Sequence, residues 1–250
     1  MPRREVMRQM FESNIGLILP KQFKEEPGAF ATRNIVGHKT VSAYDINYLF
    51  PLYLYPDTEK QILFTEQKQA EGKQPNINSE ILAQLSGIYP ELPSPEMIFY
   101  YIYSVLYSET YRKRYAEFLK TDFPRIPFTK NFDLFRKMAE YGQRLADLHL
   151  MNSPDLDSPI ARFQGFGDER VDKLRYDNKD NRVYINKDQY FEGVGEHIWQ
   201  YHIGGYQVCN KWLKDRKGRT LSLNDVKHYC KIVTAIEKTL EICRKYKVLR

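Results

Sequence analysis

The chain has 250 residues, of which 42% are hydrophobic and 14% aromatic, and it carries a net charge of +6. Burial of that much apolar surface offsets the entropy lost on ordering, which excludes a chain that is disordered throughout. No apolar run reaches the roughly 18 residues of a membrane span, and the opening MPRREVMRQMF lacks the apolar core of a signal peptide. The basic excess is compatible with a polyanionic partner such as DNA.

Residues 1–88 form the first predicted part, which is rich in β-structure. Alternating apolar residues predict a strand within Asn14–Gln22 and a shorter β-like stretch within Phe30–Val41. Leucine and aromatic residues alternate in NYLFPLYLYP, which predicts a further strand. The polar stretch Thr58–Pro75 is typical of a loop.

A helix predicted over Ile77–Ile88 leads to a helical block over residues 94–152. Ser94 is expected to cap a helix that has Pro95 at its first position, because proline has no N–H to leave unpaired there. Apolar residues three and four apart continue this pattern. Further helices are predicted over Ser108–Lys120 and Asn131–Leu150.

Residues 160–206 form a second β-rich part. In RVYINKDQYF, Val183 and Ile185 face one side of a predicted strand, and Tyr184 and Asn186 face the other. The same alternation recurs at Trp199, Tyr201 and Ile203.

Residues 208–250 are predicted to hold a basic loop followed by a helix over Leu223–Tyr246. Two β-rich parts therefore flank a helical block, and a helix closes the chain. This arrangement predicts an α+β fold. No linker rich in Pro, Gly or Ser separates the parts, so we expect a single domain.

The three cysteines, Cys209, Cys230 and Cys243, have neither a CxxC pair nor the spacing of a zinc site. An odd number of isolated cysteines indicates reduced thiols, so we expect a cytoplasmic protein. Cys230 and Cys243 fall in a helical pattern and are expected to pack in the core. The histidines have no carboxylate or cysteine in register, so we predict that the chain holds no metal.

Two glycine motifs could suggest chemistry. FQGFG, at residues 163–167, is similar to a loop that some methyltransferases use to bind S-adenosylmethionine, but the strand, helix and acidic residue that such a site needs are not evident. IGGYQ, at residues 203–207, lacks the lysine of a phosphate-binding loop. We interpret these glycines as positions of turns or close backbone packing, and we predict no catalysis by this chain.

The densest basic stretch is NKWLKDRKGRTLS, in which Gly218 predicts a turn and Trp212 is expected to anchor the stretch to the core. Neutralising phosphates with cations releases counterions from DNA, so a cluster of this kind favours phosphate binding. A solvated basic loop is the alternative. The candidate residues for DNA-backbone contact or docking are Lys211, Lys214, Arg216, Lys217 and Arg219.

A second, less dense basic patch lies in the second β-rich part. Arg, Lys and Asn side chains can bond base edges in the major groove, and a β-ribbon fits that groove. The candidates for base readout here are Arg170, Lys173, Arg175, Tyr176, Asn181 and Arg182.

The stretch from His202 to Glu241 contains IGGYQ, KWL and RKGR in that order. It resembles the C-terminal signature of the Type ISP restriction-modification enzymes. TYRKRYAEFLKTDFPRIP, RVYIN, YFEGV, NIGLI and FPLYLYP are similar to further blocks of that family. The resemblance covers nearly the whole chain.

This resemblance implies that the chain is the target-recognition domain at the end of a host-defence enzyme that also carries a nuclease, an ATP-driven translocase and an adenine methyltransferase. S-adenosylmethionine, ATP and Mg would bind in those upstream parts, so no cofactor is expected in this chain. The implied partners are double-stranded DNA and the upstream methyltransferase and translocase domains.

The resemblance also separates shared motifs from variable stretches. Base readout is expected outside the shared motifs, in Phe23–Tyr48, which contains Lys39, in Ile160–Arg182, and in Thr58–Pro75. Packing is the expected role of the motif residues Gly204, Gly205, Tyr206 and Trp212.

Two other functions are compatible with some of these residues. A docking subunit would use its basic and aromatic surface to hold the methyltransferase and translocase parts, with little direct DNA contact. A free-standing methyltransferase would need a cofactor loop and a base pocket, and the sequence offers neither.

Overall fold

The computed structural model describes residues 3–24, 27–37, 39–41, 46–56 and 72–246. Helices and antiparallel sheets are both present, which confirms the predicted α+β fold class. Most of Thr58–Pro75, a candidate stretch for base readout, lies outside the described residues. In the part of the chain that is described, no helix is long and apolar enough to cross a membrane.

The N-terminal part begins with helix α1 (Arg4–Met7) and a 3₁₀ turn, and it continues into antiparallel strands. The strand predicted within Asn14–Gln22 is present and is buried along its whole length. The end of the predicted polar loop is instead a short strand. The strands are β1 (Gly16–Pro20), β2 (Phe30–Thr32) and β3 (Asn47–Pro51), in the order β2-β1-β3, followed by the pair β4 (Tyr53–Leu54) and β5 (Gln74–Pro75).

The helical block follows the predicted boundaries closely. The Ser94 hydroxyl accepts a hydrogen bond from the Met97 amide at 3.2 Å, and Pro95 occupies the first turn as predicted. The helix predicted over Ser108–Lys120 is broken at Tyr115, where the backbone leaves the helical region. The helices are α2 (Ser79–Ile88), α3 (Pro95–Tyr107), α4 (Glu109–Arg114), α5 (Ala116–Leu119) and α6 (Phe132–His149).

Helices α3 and α6 pack closely through a glycine contact and stacked rings. A Cβ atom on Gly142 would lie 1.8 Å from the Tyr100 carbonyl oxygen, so only glycine permits this approach. Phe135 is fully buried, and its ring centroid lies 4.7 Å from that of Tyr101 and 5.0 Å from that of Tyr89. Aromatic stacking therefore forms the centre of this block.

The C-terminal half contains a four-stranded antiparallel sheet and a long final helix. The sheet has the order β6-β9-β8-β7, so its neighbouring strands are not all consecutive in the chain. The elements are β6 (Arg162–Gln164), β7 (Arg175–Asp177), β8 (Arg182–Tyr184), β9 (Tyr190–Glu192), α7 (Glu196–Trp199), β10 (His202–Ile203), β11 (Tyr206–Gln207), α8 (Val208–Lys214) and α9 (Leu223–Tyr246).

Two predictions for this half are wrong. The alternation at Trp199, Tyr201 and Ile203 does not form one strand, because Trp199 ends helix α7 and the chain then turns into the β10–β11 hairpin. The basic stretch is not wholly a loop, because Lys211 and Lys214 lie on helix α8.

Helix α9 contributes to both main hydrophobic cores. Ala235 and Ile242 pack in the core of the helical block, whereas Val233 packs against the four-stranded sheet, α7 and α8. Cys230 and Cys243 pack against these cores as predicted. Burial raises the pKa of the thiols of both residues to about 11, which favours the protonated form.

A hydrogen-bonded chain connects the N-terminal sheet, the helical block and α9. The Tyr103 hydroxyl donates to His149 Nδ1 at 2.7 Å and accepts from the Ala31 amide at 3.3 Å. His149 Nε2 then donates to the Thr239 hydroxyl at 2.9 Å, which donates to the Ala235 carbonyl at 2.7 Å. This arrangement fits a neutral histidine, and burial lowers the pKa of His149 to about 3.

Candidate nucleic-acid interface

The four-stranded sheet has one face in the core and one towards solvent. Val183 and Phe191 pair across β8 and β9 and are fully buried, so the residues beside them on each strand point outward. The register arranges the outward residues in two rows. The first row is Gln164, Tyr190, Tyr184 and Arg175, and the second is Arg162, Glu192, Arg182 and Asp177.

Two guanidinium groups cover two tyrosine rings on the outward face. Arg175 Cζ lies 3.8 Å from the ring centroid of Tyr184, and Arg182 Cζ lies 4.7 Å from that of Tyr190. The two ring centroids are 5.0 Å apart. We refer to these four residues as the Arg–Tyr ladder. Cation–π attraction holds the guanidinium groups over the rings, so cations and aromatic surface are presented together.

Each arginine of the ladder also has an aspartate partner. Arg175 Nη1 lies 3.1 Å from Asp177 Oδ2, and Arg182 Nη1 lies 3.1 Å from Asp180 Oδ2. The hydrogen bond from Arg175 lowers the pKa of Asp177. Exposed ion pairs contribute little to stability, so a phosphate or a base edge could replace these carboxylates at small cost.

Tyr176, a candidate for base readout, lies on the opposite face. It pairs with Val183, its ring stacks on Trp199 with centroids 5.1 Å apart, and its hydroxyl donates to the Val194 carbonyl at 3.1 Å. Tyr176 therefore belongs to the packed side of the sheet and lies apart from the other predicted base-reading residues of this patch. Asn181 is exposed in the turn between β7 and β8, where its φ of 52° suits a left-handed turn position.

Two members of the predicted basic stretch have structural contacts. Arg216 Cζ lies 3.5 Å from the ring centroid of Trp212, and Arg216 Nε lies 3.3 Å from Asp225 Oδ1. Lys211 forms an ion pair with Asp215 one helical turn away. The contacts of Arg216 fix the end of α8 against the start of α9, so Arg216 has a packing role as well as a charge.

The other three cations of the stretch are exposed. They pair with no carboxylate in the described part of the chain, and exposed cations of this kind suit phosphate contact. We refer to them as the basic edge, which consists of Lys214, Lys217 and Arg219.

Main-chain hydrogen bonds join the basic edge to the second basic patch. Arg170 forms an isolated β-bridge with Thr220, and the Val171 amide donates to the Arg219 carbonyl at 2.9 Å. The Gly218 amide donates to the Val171 carbonyl at 2.7 Å. The structure therefore brings together two patches that are well separated in the sequence. Lys173 is exposed on the segment that continues from this contact towards β7.

Lys39 is the predicted base-reading residue that belongs to the N-terminal part. It is exposed and lines a cleft of about 290 Å³ with Tyr206, Lys211 and Trp212. Lys211 Nζ lies 5.3 Å from the ring centroid of Tyr206. Lys39 therefore lies beside the shared motif rather than beside the Arg–Tyr ladder.

The glycines of IGGYQ lie where the N-terminal part contacts the C-terminal half. Gly204 has a φ of 55°, and a Cβ atom there would lie 2.0 Å from the Val41 carbonyl oxygen. Gly205 follows it in the turn of the β10–β11 hairpin. Trp212 packs on Tyr229 with ring centroids 5.3 Å apart. These placements fit the packing roles expected for the motif.

Tyr184 and Tyr190 were not among the residues predicted for the site. A signal was present, because alternation in RVYIN places Tyr184 on the face opposite Val183. The pairing of Tyr184 with Tyr190 across β8 and β9 depends on the register of the hairpin, which the alternation alone does not give.

Comparison with known protein families identifies the chain. Residues 1–245 match the model of the Type ISP C-terminal specificity domain. The chain belongs to this family. The predicted family is thus confirmed, and with it the prediction that the chain is a specificity segment of a Type ISP restriction-modification enzyme. No curated protein sequence matches the chain.

Three solved structures share the fold of this specificity domain. A nuclease-deletion mutant of the Type ISP restriction-modification enzyme LlaGI, in complex with a DNA substrate mimic, is 23% identical with a TM-score of 0.64. The ATP-dependent Type ISP enzyme LlaBIII, bound to DNA, is 21% identical with a TM-score of 0.65. A cryo-EM structure of a DrdV–DNA complex is 18% identical with a TM-score of 0.76.

The chain corresponds to only a part of each of these proteins. The matches cover 94%, 94% and 96% of this chain, but only 18%, 16% and 25% of LlaGI, LlaBIII and DrdV respectively. The activities of those whole proteins therefore do not transfer to the specificity domain as established properties.

Proposed function

We propose that this specificity domain reads a sequence in double-stranded DNA through the outward face of its four-stranded sheet. The Arg–Tyr ladder is the observation that carries the proposal. A guanidinium can form two parallel hydrogen bonds with the O6 and N7 atoms of guanine, and tyrosine rings beneath it restrict its orientation. The family assignment and the DNA complexes of the three similar structures support DNA as the partner.

The basic edge has a separate role in this proposal. Lys214, Lys217 and Arg219 would contact phosphates and fix the position of the domain on the duplex, while the ladder contacts bases. The hydrogen bonds between residues 169–171 and residues 218–221 hold the two surfaces in a fixed relation. Fixed spacing matters because phosphate contacts set the register in which base edges are read.

The chain itself is proposed to lack catalysis. FQGFG begins within strand β6, but residues 165–189 contain bends and short strands and no helix, so the strand–loop–helix unit of a cofactor site is not formed. Methyl transfer, translocation and cleavage would belong to preceding domains, which would bind S-adenosylmethionine, ATP and Mg. The described residues contain no cluster of three or more potential metal ligands among His, Cys, Asp and Glu.

Selection from a pool of duplexes with a randomised central segment tests sequence reading. The 250-residue chain is expected to enrich one sequence, and the double variant Arg175→Ala/Arg182→Ala is expected to lose that enrichment. The matched control is Arg136→Ala/Arg144→Ala, which also removes two positive charges but does so at exposed positions on α6. Failure of the unmodified chain to enrich any sequence would overturn the proposal.

The salt dependence of binding tests the basic edge. Replacing Lys214, Lys217 and Arg219 by alanine is expected to lower the slope of log affinity against log salt by about 0.9 for each phosphate that is no longer neutralised. Affinity should fall equally for the selected duplex and for an unrelated duplex, because phosphates carry no sequence information. Fluorescence anisotropy at several salt concentrations measures both the slope and the affinity.

A docking role is the second candidate, because the aspartate partners of both ladder arginines leave them satisfied without DNA. Reversing Lys214, Lys217 and Arg219 to glutamate discriminates between the two functions. Arg216 is kept in this variant, since its contacts with Trp212 and Asp225 are structural. If duplex binding persists while co-purification with the methyltransferase and translocase domains is abolished, the docking role is supported instead.

A further inference from the structure

Phe166 is the most exposed large hydrophobic side chain among the described residues, with 97% of its surface accessible. It stands between Gly165 and Gly167 in FQGFG, directly after strand β6. A phenyl ring in water gives up the free energy that burial would supply, and packing within the domain does not require it there. The ring of Phe166 is therefore accessible to a partner outside the chain.

The loop that carries Phe166 is held firmly at its base. Gly165 has a φ of 96°, and a Cβ atom there would lie 2.2 Å from the Asp188 carbonyl oxygen. The buried Gln189 side chain accepts hydrogen bonds from the Glu169 amide at 2.8 Å and from Asn186 Nδ2 at 3.0 Å. The exposed ring therefore projects from a supported loop, and its placement loses little entropy on binding.

The loop also adjoins both surfaces of the proposed interface. Gln164, two residues before Phe166, pairs with Tyr190 of the Arg–Tyr ladder. Asn186 Nδ2 donates to the Arg170 carbonyl at 3.0 Å, and Arg170 forms the bridge to Thr220 beside the basic edge. Phe166 thus lies at the end of the sheet where the Arg–Tyr ladder approaches the basic edge.

We propose that Phe166 inserts between two adjacent base pairs of the bound duplex as an apolar wedge. Phenylalanine is one of the side chains that proteins use to unstack a base step, and it forms no hydrogen bond that would require a polar partner. The inference rests on the proposed function, because it takes the duplex held by the ladder as the partner. Specificity would follow from the stiffness of the step, since pyrimidine–purine steps open most easily.

The test uses the duplex enriched by selection, with 2-aminopurine placed at successive positions of the site. This base fluoresces weakly when it is stacked and strongly when it is unstacked. The unmodified chain is expected to raise the fluorescence several-fold at one step only. Phe166→Ala should abolish that rise and weaken binding by about tenfold, whereas Phe166→Leu should retain most of the rise because leucine can also act as a wedge.

Phe118→Ala is the matched control, because Phe118 is 73% exposed but lies on α5 in the helical block. It should change neither the fluorescence nor the affinity. The thermal unfolding temperature of each variant, compared with that of the unmodified chain, verifies that the substitution leaves the domain folded.

Three results would overturn the wedge. If no position brightens with the unmodified chain, or if the rise persists in Phe166→Ala, the ring does not open the stack. A Phe166→Ala chain that binds the duplex normally but no longer binds a protein partner would assign the ring to that partner. These failures differ from failure of the proposed function, in which no duplex sequence is enriched and both proposals fall.

Discussion

Tyr101 and Tyr107 of the helical block lie beneath the surface with their hydroxyl groups bonded to main-chain carbonyls, whereas the sheet tyrosines of the Arg–Tyr ladder lie under guanidinium groups at the surface. Tyr101 donates to the Pro127 carbonyl at 2.7 Å, and Tyr107 donates to the Ala29 carbonyl at 2.8 Å. Burial raises the pKa of Tyr101 to about 12, which keeps its hydroxyl protonated and able to donate.

The two groups of tyrosines differ in whether their rings can contact a partner outside the chain. In the helical block, a buried tyrosine supplies apolar area and one hydrogen bond that joins distant segments. Both interactions stabilise the folded state. On the sheet, the rings support Arg175 and Arg182 and keep part of their surface accessible. We therefore expect changes in the block to alter stability and changes in the ladder to alter binding.

The largest expected effect comes from the aromatic centre of the block. Phe135→Ala should lower the free energy of unfolding by about 3–5 kcal/mol, because it removes a fully buried ring and leaves a cavity. Tyr190→Ala on the sheet should lower it by about 1 kcal/mol or less. Urea denaturation measures both values, and an equal decrease for the two variants would remove the distinction between the regions.

Removal of one hydroxyl should have the next largest effect. Tyr103→Phe deprives both the Ala31 amide and His149 Nδ1 of a partner. Each buried group left unpaired costs at least about 1 kcal/mol, so we expect a decrease of about 2 kcal/mol or more in the free energy of unfolding. Binding of the selected duplex should be unchanged at a temperature where the variant remains folded.

The stability of the block should also depend on pH through His149. Burial lowers the pKa of His149 to about 3, so the unfolded chain binds more protons than the folded chain below its unfolded pKa of about 6.5. Stability from this residue is complete above that value and falls as pH falls towards 3. Between pH 7 and pH 5 the decrease should approach about 2 kcal/mol.

Urea denaturation at the two pH values measures this decrease, and His149→Gln is the comparison variant. It should unfold more easily at pH 7 but show a smaller difference between the two pH values. An unchanged pH dependence in that variant would assign the titration to other groups.

The smallest expected effect concerns the geometry of the ladder. Arg175→Lys keeps the charge but removes the planar fork and its stacking on Tyr184. Affinity for the selected duplex should fall by about 1 kcal/mol or more, while the slope against salt concentration stays the same. Fluorescence anisotropy gives both quantities. A lysine variant that binds as tightly as the unmodified chain would mean that charge alone is read.

The sequence predicted local features more successfully than contacts between segments. The caps at Ser94 and Asn131 were predictable, because the side chain that closes each helix lies within three residues of the amide it accepts from. The face of the sheet on which Tyr176 lies was not predictable, because three residues of alternation do not show which side meets the core. That side is set by pairing with Val183 and stacking on Trp199.

The wrong prediction for the basic stretch has a different cause. Five cations near a glycine suggested a loop, but Cys209 and Leu213 are both fully buried and lie four residues apart, which is helical spacing. The helical spacing of these two apolar residues was visible in the sequence, but the surrounding charged residues obscured it. The exposure of Phe166 could not be read from the sequence, because an aromatic residue between glycines also occurs in buried turns.

The contact between Gly28 and Gly204 has a consequence for hybrid proteins. A Cβ atom on Gly28 would lie 2.5 Å from the Gly204 amide nitrogen, so the two backbone segments meet without any side chain between them. The Ile203 and Val41 side chains lie 2.9 Å and 3.1 Å from the same position, so the joint also depends on these two apolar residues. Exchange of residues 1–56 between relatives should therefore retain assembly with residues 160–246 only if Gly28, Gly204, Val41 and Ile203 are kept, which sets a condition for exchanging recognition surfaces.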